Sequence, residues 1–195
     1  MLFGFIPTAV CAGQEDADTD EPAAPYSPSK EAGRDRTSDF AKGNRKWQTY
    51  GSVLGFDPGK GEMYALHLGY GFFPYERISV NIDIFGAYIR SGIDDNGVAG
   101  GLDVIFRRHF HTFANERYTF YGDLGGGFEQ QSTDFSGSRR FNFRAMVGIG
   151  GSMRINAKVR LMGGVRYLHI SDAGIDGGGG GYDGLQFYLG SMFPF

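Results

Sequence analysis

The sequence predicts an all-β fold: an eight-stranded antiparallel up-and-down transmembrane β-barrel preceded by a disordered N-terminal leader. Three observations carry that expectation. After residue 46, apolar and polar side chains alternate with period two through eight runs, each about as long as a tilted strand needs to cross a bilayer. Aromatic residues collect near the ends of those runs, where an interfacial girdle would place them. The chain also stops on Phe195 directly after an alternating run, as chains inserted into bacterial outer membranes commonly do. Alternation by itself fits a soluble sandwich equally well; the girdle, the last strand and a partial alternation of short and long connections favour the membrane.

A chain of 195 residues suits one domain. Its 33 glycines and 15% aromatic residues fit tight turns and strands in which small and large side chains alternate. Mean hydropathy is slightly negative and no run of about 18 apolar residues occurs, so no transmembrane helix is expected. A membrane barrel escapes that test, because only every second residue faces lipid. The net charge of -3 argues against a nucleic-acid partner, and a single cysteine, Cys11, rules out an internal disulfide.

Residues 1–12 (MLFGFIPTAVCA) have the look of the apolar core and cleavage region of a secretory signal, with Val10 and Ala12 suited to the positions before a cut after Ala12, although a basic start is missing. Acylation at Cys11 is the rival reading, and Thr8-Ala9-Val10 fits it poorly. Residues 13–46 are acidic and then mixed in charge, contain Pro22, Pro25 and Pro28, and show no periodicity. Such a segment cannot bury enough surface to offset its ordering entropy, so it reads as a disordered periplasmic leader. The barrel is assigned to residues 47–195.

The eight runs are 47–56, 62–73, 78–90, 98–109, 118–130, 139–154, 158–171 and 183–193. Each has one apolar parity. It holds Val80, Ile82, Ile84 and Tyr88 in the third run, Leu102, Val104 and Phe106 in the fourth, and Phe120, Leu124 and Phe128 in the fifth. In the sixth it holds Phe141, Phe143, Val147 and Ile149, and in the seventh Val159, Leu161, Val165 and Tyr167. The eighth places Leu185, Phe187, Leu189, Phe193 and Phe195 on one parity. The opposite parity carries Asn81 and Asp83, then Asp103 and Arg107, then Tyr121, Asp123 and Glu129, then Arg140, Asn142 and Arg144, and finally Arg160 and Arg166. In a small membrane barrel those acids and arginines pair inside a packed lumen. Trp47, Tyr50, Phe72, Phe73, Tyr75, Tyr88, Tyr118, Tyr167 and Tyr188 are the girdle candidates.

With both ends in the periplasm, odd strands run outward. The connections at 74–77, 110–117 and 155–157 are then periplasmic, the second longer than a tight turn needs, and those at 57–61, 91–97, 131–138 and 172–182 are external. Strand seven therefore ends outside. His169 and Ser171 continue the apolar face of Val165 and Tyr167, while Asp183 shares the face of Leu185 and Phe187. If the last two strands pair, a nucleophile, a base and an orienting acid meet on the apolar side of one hairpin.

His169-Ile170-Ser171-Asp172-Ala173-Gly174-Ile175, followed by Gly181-Tyr182-Asp183, resembles the signature of the lipid A 3-O-deacylase (PagL-like) family of outer-membrane barrels. That family carries His-x-Ser-Asn-Ala in its penultimate strand and Gly-x-Glu with the acid fourteen residues after the His. Order and spacing match. Asp183 stands where the family has Glu, which keeps the charge and shortens the reach by one methylene. Asp172 stands where the family has the Asn implicated in binding the oxyanion.

The resemblance implies ester hydrolysis in the cell outer membrane. Ser171 attacks, His169 takes its proton, Asp183 holds the imidazole, and backbone N–H groups near Asp172 and Ala173 receive the oxyanion. The implied substrate is lipid A or lipopolysaccharide of the outer leaflet. Neither cofactor nor metal is called for. The other implied partners are membrane lipid and the outer-membrane assembly machinery, and a homodimer stays open.

Two other readings remain. A non-catalytic barrel would leave His169 and Ser171 as interfacial polar residues. A soluble barrel holding a small apolar ligand would turn Leu185, Phe187 and Leu189 inward. Elsewhere, His67 falls on the lumen parity as a hydrogen-bonded core residue, and His109 and His111 read as solvated residues near a periplasmic turn. Gly177 to Gly181 is no phosphate loop, because no helix follows it.

Overall fold

The computed structural model describes residues 38–56, 60–92, 95–134, 140–172 and 181–195. Eight strands follow one another as β1 (Arg45–Phe56), β2 (Gly61–Tyr75), β3 (Ile78–Ser91), β4 (Gly97–Phe113), β5 (Tyr118–Gln131), β6 (Phe141–Arg154), β7 (Arg160–Ser171) and β8 (Gly181–Pro194). Each pairs antiparallel with its chain neighbours, and β1 pairs with β8, so the sheet closes and leaves no edge unsatisfied. At 12 to 17 residues, every strand exceeds the roughly 9–11 that a tilted crossing requires.

Period-two alternation decides which side chain goes where. Leu66, Leu68, Ile82, Ile84, Phe106, Leu124, Val147 and Ile149 face outward and are exposed. Leu185, Phe187 and Leu189 are 50%, 60% and 70% exposed, which overturns the soluble reading with those residues inside. A continuous apolar belt of this extent far exceeds the few hundred Å² that a water-soluble monomer tolerates. Surrounded by hydrocarbon, the same belt carries no cost.

The lumen is solid and polar. Arg107 donates through Nε and Nη2 to the two Asp123 oxygens at 2.7 and 2.9 Å, and Arg166 Nη2 donates to Asp123 Oδ2 at 2.8 Å. Arg144 bridges Glu129 at 2.6 Å and Asp103 at 3.0 Å. Asp83 accepts from Gln48 and from the Tyr50 hydroxyl at 2.7 and 2.6 Å. His67 is buried as expected, against Ser52 Oγ at 3.0 Å and stacked on Tyr50. Desolvating an ion costs several kcal/mol, so charges inside so narrow a barrel persist only in such pairs. Glycines make the room. A Cβ on Gly164 would lie 2.6 Å from the Tyr188 hydroxyl, and one on Gly148 would lie 2.6 Å from Arg166 Cγ.

Several expectations are corrected. Tyr50, Phe73 and Tyr188 are not girdle residues: they sit on the lumen parity and are buried. Arg140 precedes β6 rather than lining the lumen, and its exposed guanidinium faces Asp134. The long connection at 110–117 shortens to a turn at 114–117, because β4 runs on to Phe113 and Ala114, Asn115 and Glu116 adopt positive φ. His109 is 1% exposed and stacks on Phe40 at 4.2 Å. It follows Asp103, Ile105 and Arg107 on the inward parity of β4; the bulge between His109 and His111 comes only after it and leaves both Phe110 and His111 outward.

Residues 38–44, which the sequence assigns to the leader, close the lumen at the end bearing the short turns. Phe40 is buried beneath Arg160, and Asp39 pairs with Arg154 and Arg160, each at 2.8 Å. Backbone bonds from Gly43 to Phe73 and from Arg77 to Phe40 fasten this segment. At the opposite end the lumen is filled by Leu54, Met63, Ile89, Met146, Leu168 and Ile170.

Candidate active site

The β7–β8 ladder sets the site. Arg160 opposite Met192 fixes a register that brings His169 opposite Asp183, Ile170 opposite Tyr182 and Ser171 opposite Gly181. Because period two sends Ile170 and Tyr182 into the lumen, their neighbours His169, Ser171 and Asp183 all lie on the outer face. The inward pair anchors the outward trio. Ile170 is fully buried, and the Tyr182 hydroxyl donates to Glu129 at 2.9 Å and accepts from Gln131 at 2.6 Å.

His169 Nδ1 meets Asp183 Oδ1 at 2.8 Å, between side chains that are 53% and 46% exposed. With Nδ1 engaged by a carboxylate, the imidazole carries its proton there and offers Nε2 as the basic nitrogen. Tyr167, one step down the same face, also hydrogen-bonds Asp183. Sequence reasoning placed Tyr167 in the girdle and missed this contact. The available signal was its parity with His169.

Ser171 is two residues from His169 on the same face, about 6.6 Å along the strand. It is partly exposed, and among the described residues it makes no hydrogen bond to His169. Its cross-strand partners are Gly181 on β8 and Phe143 on β6. Glycine opposite leaves the hydroxyl uncovered on that side: a Cβ on Gly181 would stand 3.1 Å from Ser171 Cβ. Asp172 is 3% exposed, so its carboxylate is not displayed beside His169 on the outer face. Ala173 lies outside the described residues.

A groove crosses the outer face of β8, β1, β2 and β3. Gly51 and Gly86 line its floor, and Phe187, Leu189, Leu66 and Tyr88 its sides. Phe187 shares the face of Asp183 four residues further along β8, about 13 Å away, so the groove lies toward the middle of the barrel wall from the polar trio.

The sequence profile of the lipid A 3-O-deacylase (PagL) family matches residues 38–191. No curated protein matches the chain. Among solved structures, the barrel is similar to the outer-membrane enzyme PagL, at 17% identity and a TM-score of 0.58 over 77% of this chain and 99% of that one. It is also similar to neisserial surface protein A, at 13% identity and 0.59 over 78% and 96%. OprG from Pseudomonas aeruginosa matches at 12% identity and 0.54 over 82% and 99%. At such identities these three share the fold, and the fold is that of outer-membrane barrels. The family match covers the whole barrel apart from its last four residues, and with it the His-x-Ser run, so this outer-membrane chain belongs to the lipid A 3-O-deacylase (PagL) family.

Proposed function

We propose that this protein hydrolyses an acyl ester of lipid A in the outer leaflet, using Ser171, His169 and Asp183. The observation that carries the reading is the 2.8 Å contact between His169 and Asp183 on the outer surface of the barrel. A His–carboxylate pair is costly to hold against lipid, and it lies on the outer face, apart from the ion pairs that fill the lumen.

In the proposed reaction Ser171 Oγ turns toward His169 as the ester arrives, and such bonds commonly tighten only with substrate bound. Nε2 takes the hydroxyl proton while Oγ bonds to the acyl carbon. The tetrahedral oxyanion is received by backbone N–H groups after Ser171, near Asp172 and Ala173. The ester C–O bond then breaks, and the lipid oxygen leaves with the proton held by His169. Water, deprotonated by the same imidazole, releases the fatty acid and restores Ser171. Asp183 holds the Nδ1–H tautomer throughout. The groove starting at Phe187 suits an acyl chain.

The test is incubation of purified protein with lipopolysaccharide, followed by mass spectrometry of the lipid A. Loss of one hydroxyacyl chain by the wild type and none by Ser171→Ala is expected. No loss by either, or equal loss by both, rejects the proposal. One observation favours a second reading, a non-catalytic barrel: Ser171 and His169 are not hydrogen-bonded to each other. Under it both proteins leave lipid A intact.

A further inference from the structure

Resting on the proposed reaction, we infer that Tyr167 is a positioning residue that holds Asp183 for His169. Three observations meet here. Tyr167, His169 and Ser171 occupy successive outward positions of β7, and the cross-strand partners of the first two are Leu185 and Asp183. Tyr167 is thus the diagonal neighbour of Asp183, at a separation that an aromatic side chain spans readily. The tyrosine hydroxyl hydrogen-bonds the Asp183 carboxylate, which also holds His169 Nδ1.

The surroundings give that bond its importance. Leu185 lies beside Asp183 on the outer face of β8, and Val147 and Phe143 line the β6 side of the same patch. Once lipid covers this face, water has little access to the carboxylate, and lone pairs without a donor become costly. A carboxylate held by the imidazole alone would be free to rotate about its Cβ–Cγ bond. With the phenol also donating, the plane of the acid is fixed, and the imidazole is held through Nδ1 with Nε2 left for Ser171. Asp183 is one methylene shorter than the family's glutamate, so its reach has little slack, and a second donor on the adjacent rung keeps the short acid in place.

Tyr167→Phe removes only the hydroxyl oxygen and keeps the ring that packs on the barrel. Two rates are measured in detergent micelles: lipid A deacylation, and labelling of Ser171 by a fluorophosphonate ester. Folding is verified by the shift in gel mobility between heated and unheated samples. The expected result is a fall of about tenfold in kcat and in labelling rate with KM unchanged within twofold, the size of one lost hydrogen bond to a charged group. A purely structural or substrate-binding role for Tyr167 would instead alter mobility or raise KM, and either outcome overturns the inference. Equal wild-type and variant rates also overturn it. If lipid A is untouched but wild-type Ser171 is labelled, the substrate assignment fails and the labelling rates still decide the role of Tyr167. If wild-type Ser171 is not labelled and lipid A is untouched, both ideas fall together.

Discussion

Replacing Asp183 with asparagine probes the centre of the proposed mechanism. The change is nearly isosteric, so the variant keeps its place opposite His169 in the β7–β8 ladder. It alters what His169 Nδ1 meets at 2.8 Å. Asparagine can present its NH₂ to Nδ1, which moves the imidazole proton to Nε2, and an Nε2–H cannot accept the proton of Ser171. Even with its carbonyl turned inward, the neutral amide stabilises the imidazolium of the transition state less than a carboxylate does. General-base assistance contributes typically 10² to 10⁴ in rate. Because both side chains are about half exposed, the pair is not fully desolvated in the protein itself, and a loss of about 10² to 10³ in kcat is expected. Deacylation of lipopolysaccharide, followed by mass spectrometry at saturating substrate, gives the rate. Heat-modifiable gel mobility should match the wild type, because the lumen network does not involve Asp183. A variant that keeps kcat within threefold of the wild type would refute the assignment of the orienting acid.

Two further substitutions separate stability from activity. Asp123→Asn leaves Arg107 and Arg166 in the lumen without the carboxylate that both engage, and breaking a buried pair of this kind costs about 3–5 kcal/mol. Urea unfolding in micelles should report that loss, and an unchanged midpoint would show that the arginines are matched by something other than Asp123. Leu189→Arg sets a charge on the outer face near the middle of β8, where hydrocarbon penalises it by about 2–4 kcal/mol. Folding into vesicles should weaken accordingly, while an unaffected folding yield would contradict the lipid-facing assignment of that surface.

The sequence was most legible where a single parity governs a whole strand. Leu185, Phe187 and Leu189 face outward and Asp123, Arg144 and Arg166 inward because a one-residue slip would invert all of them at once. The same count carried His169, Ser171 and Asp183 to one face, and the pairing of His169 with Asp183 follows from antiparallel register. Legibility failed where parity breaks. The bulge between His109 and His111 cannot be read from alternation, and it turns outward a histidine that unbroken period two would send into the lumen. Arg140 lies one residue before its strand begins, where alternation no longer applies. Phe40 and Asp39 belong to a segment without periodicity, and their burial depends on Arg154, Arg160 and His109, which arrive from strands more than sixty residues away. Tyr167 was legible as to its face but not its partner, because a girdle tyrosine and a tyrosine bonded to an acid look alike in sequence.

The two sides of this sheet obey different constraints. Inside, Asp123 and Arg144 each engage partners on more than one strand, so a change at either is felt by several strands together. Outside, hydrocarbon asks only that side chains be apolar, and a polar group is held by its ladder neighbours alone. A polar trio can therefore be added to or removed from the outer face of β7 and β8 while the lumen keeps the barrel folded. This accounts for a fold shared with a surface protein such as neisserial surface protein A at 13% identity, alongside membership of a deacylase family. It also sets what the outer trio must supply for itself: with no packed interior to fix their rotamers, His169 and Asp183 depend on each other, on Tyr167, and on the buried Ile170 and Tyr182 that tie their backbones to the lumen.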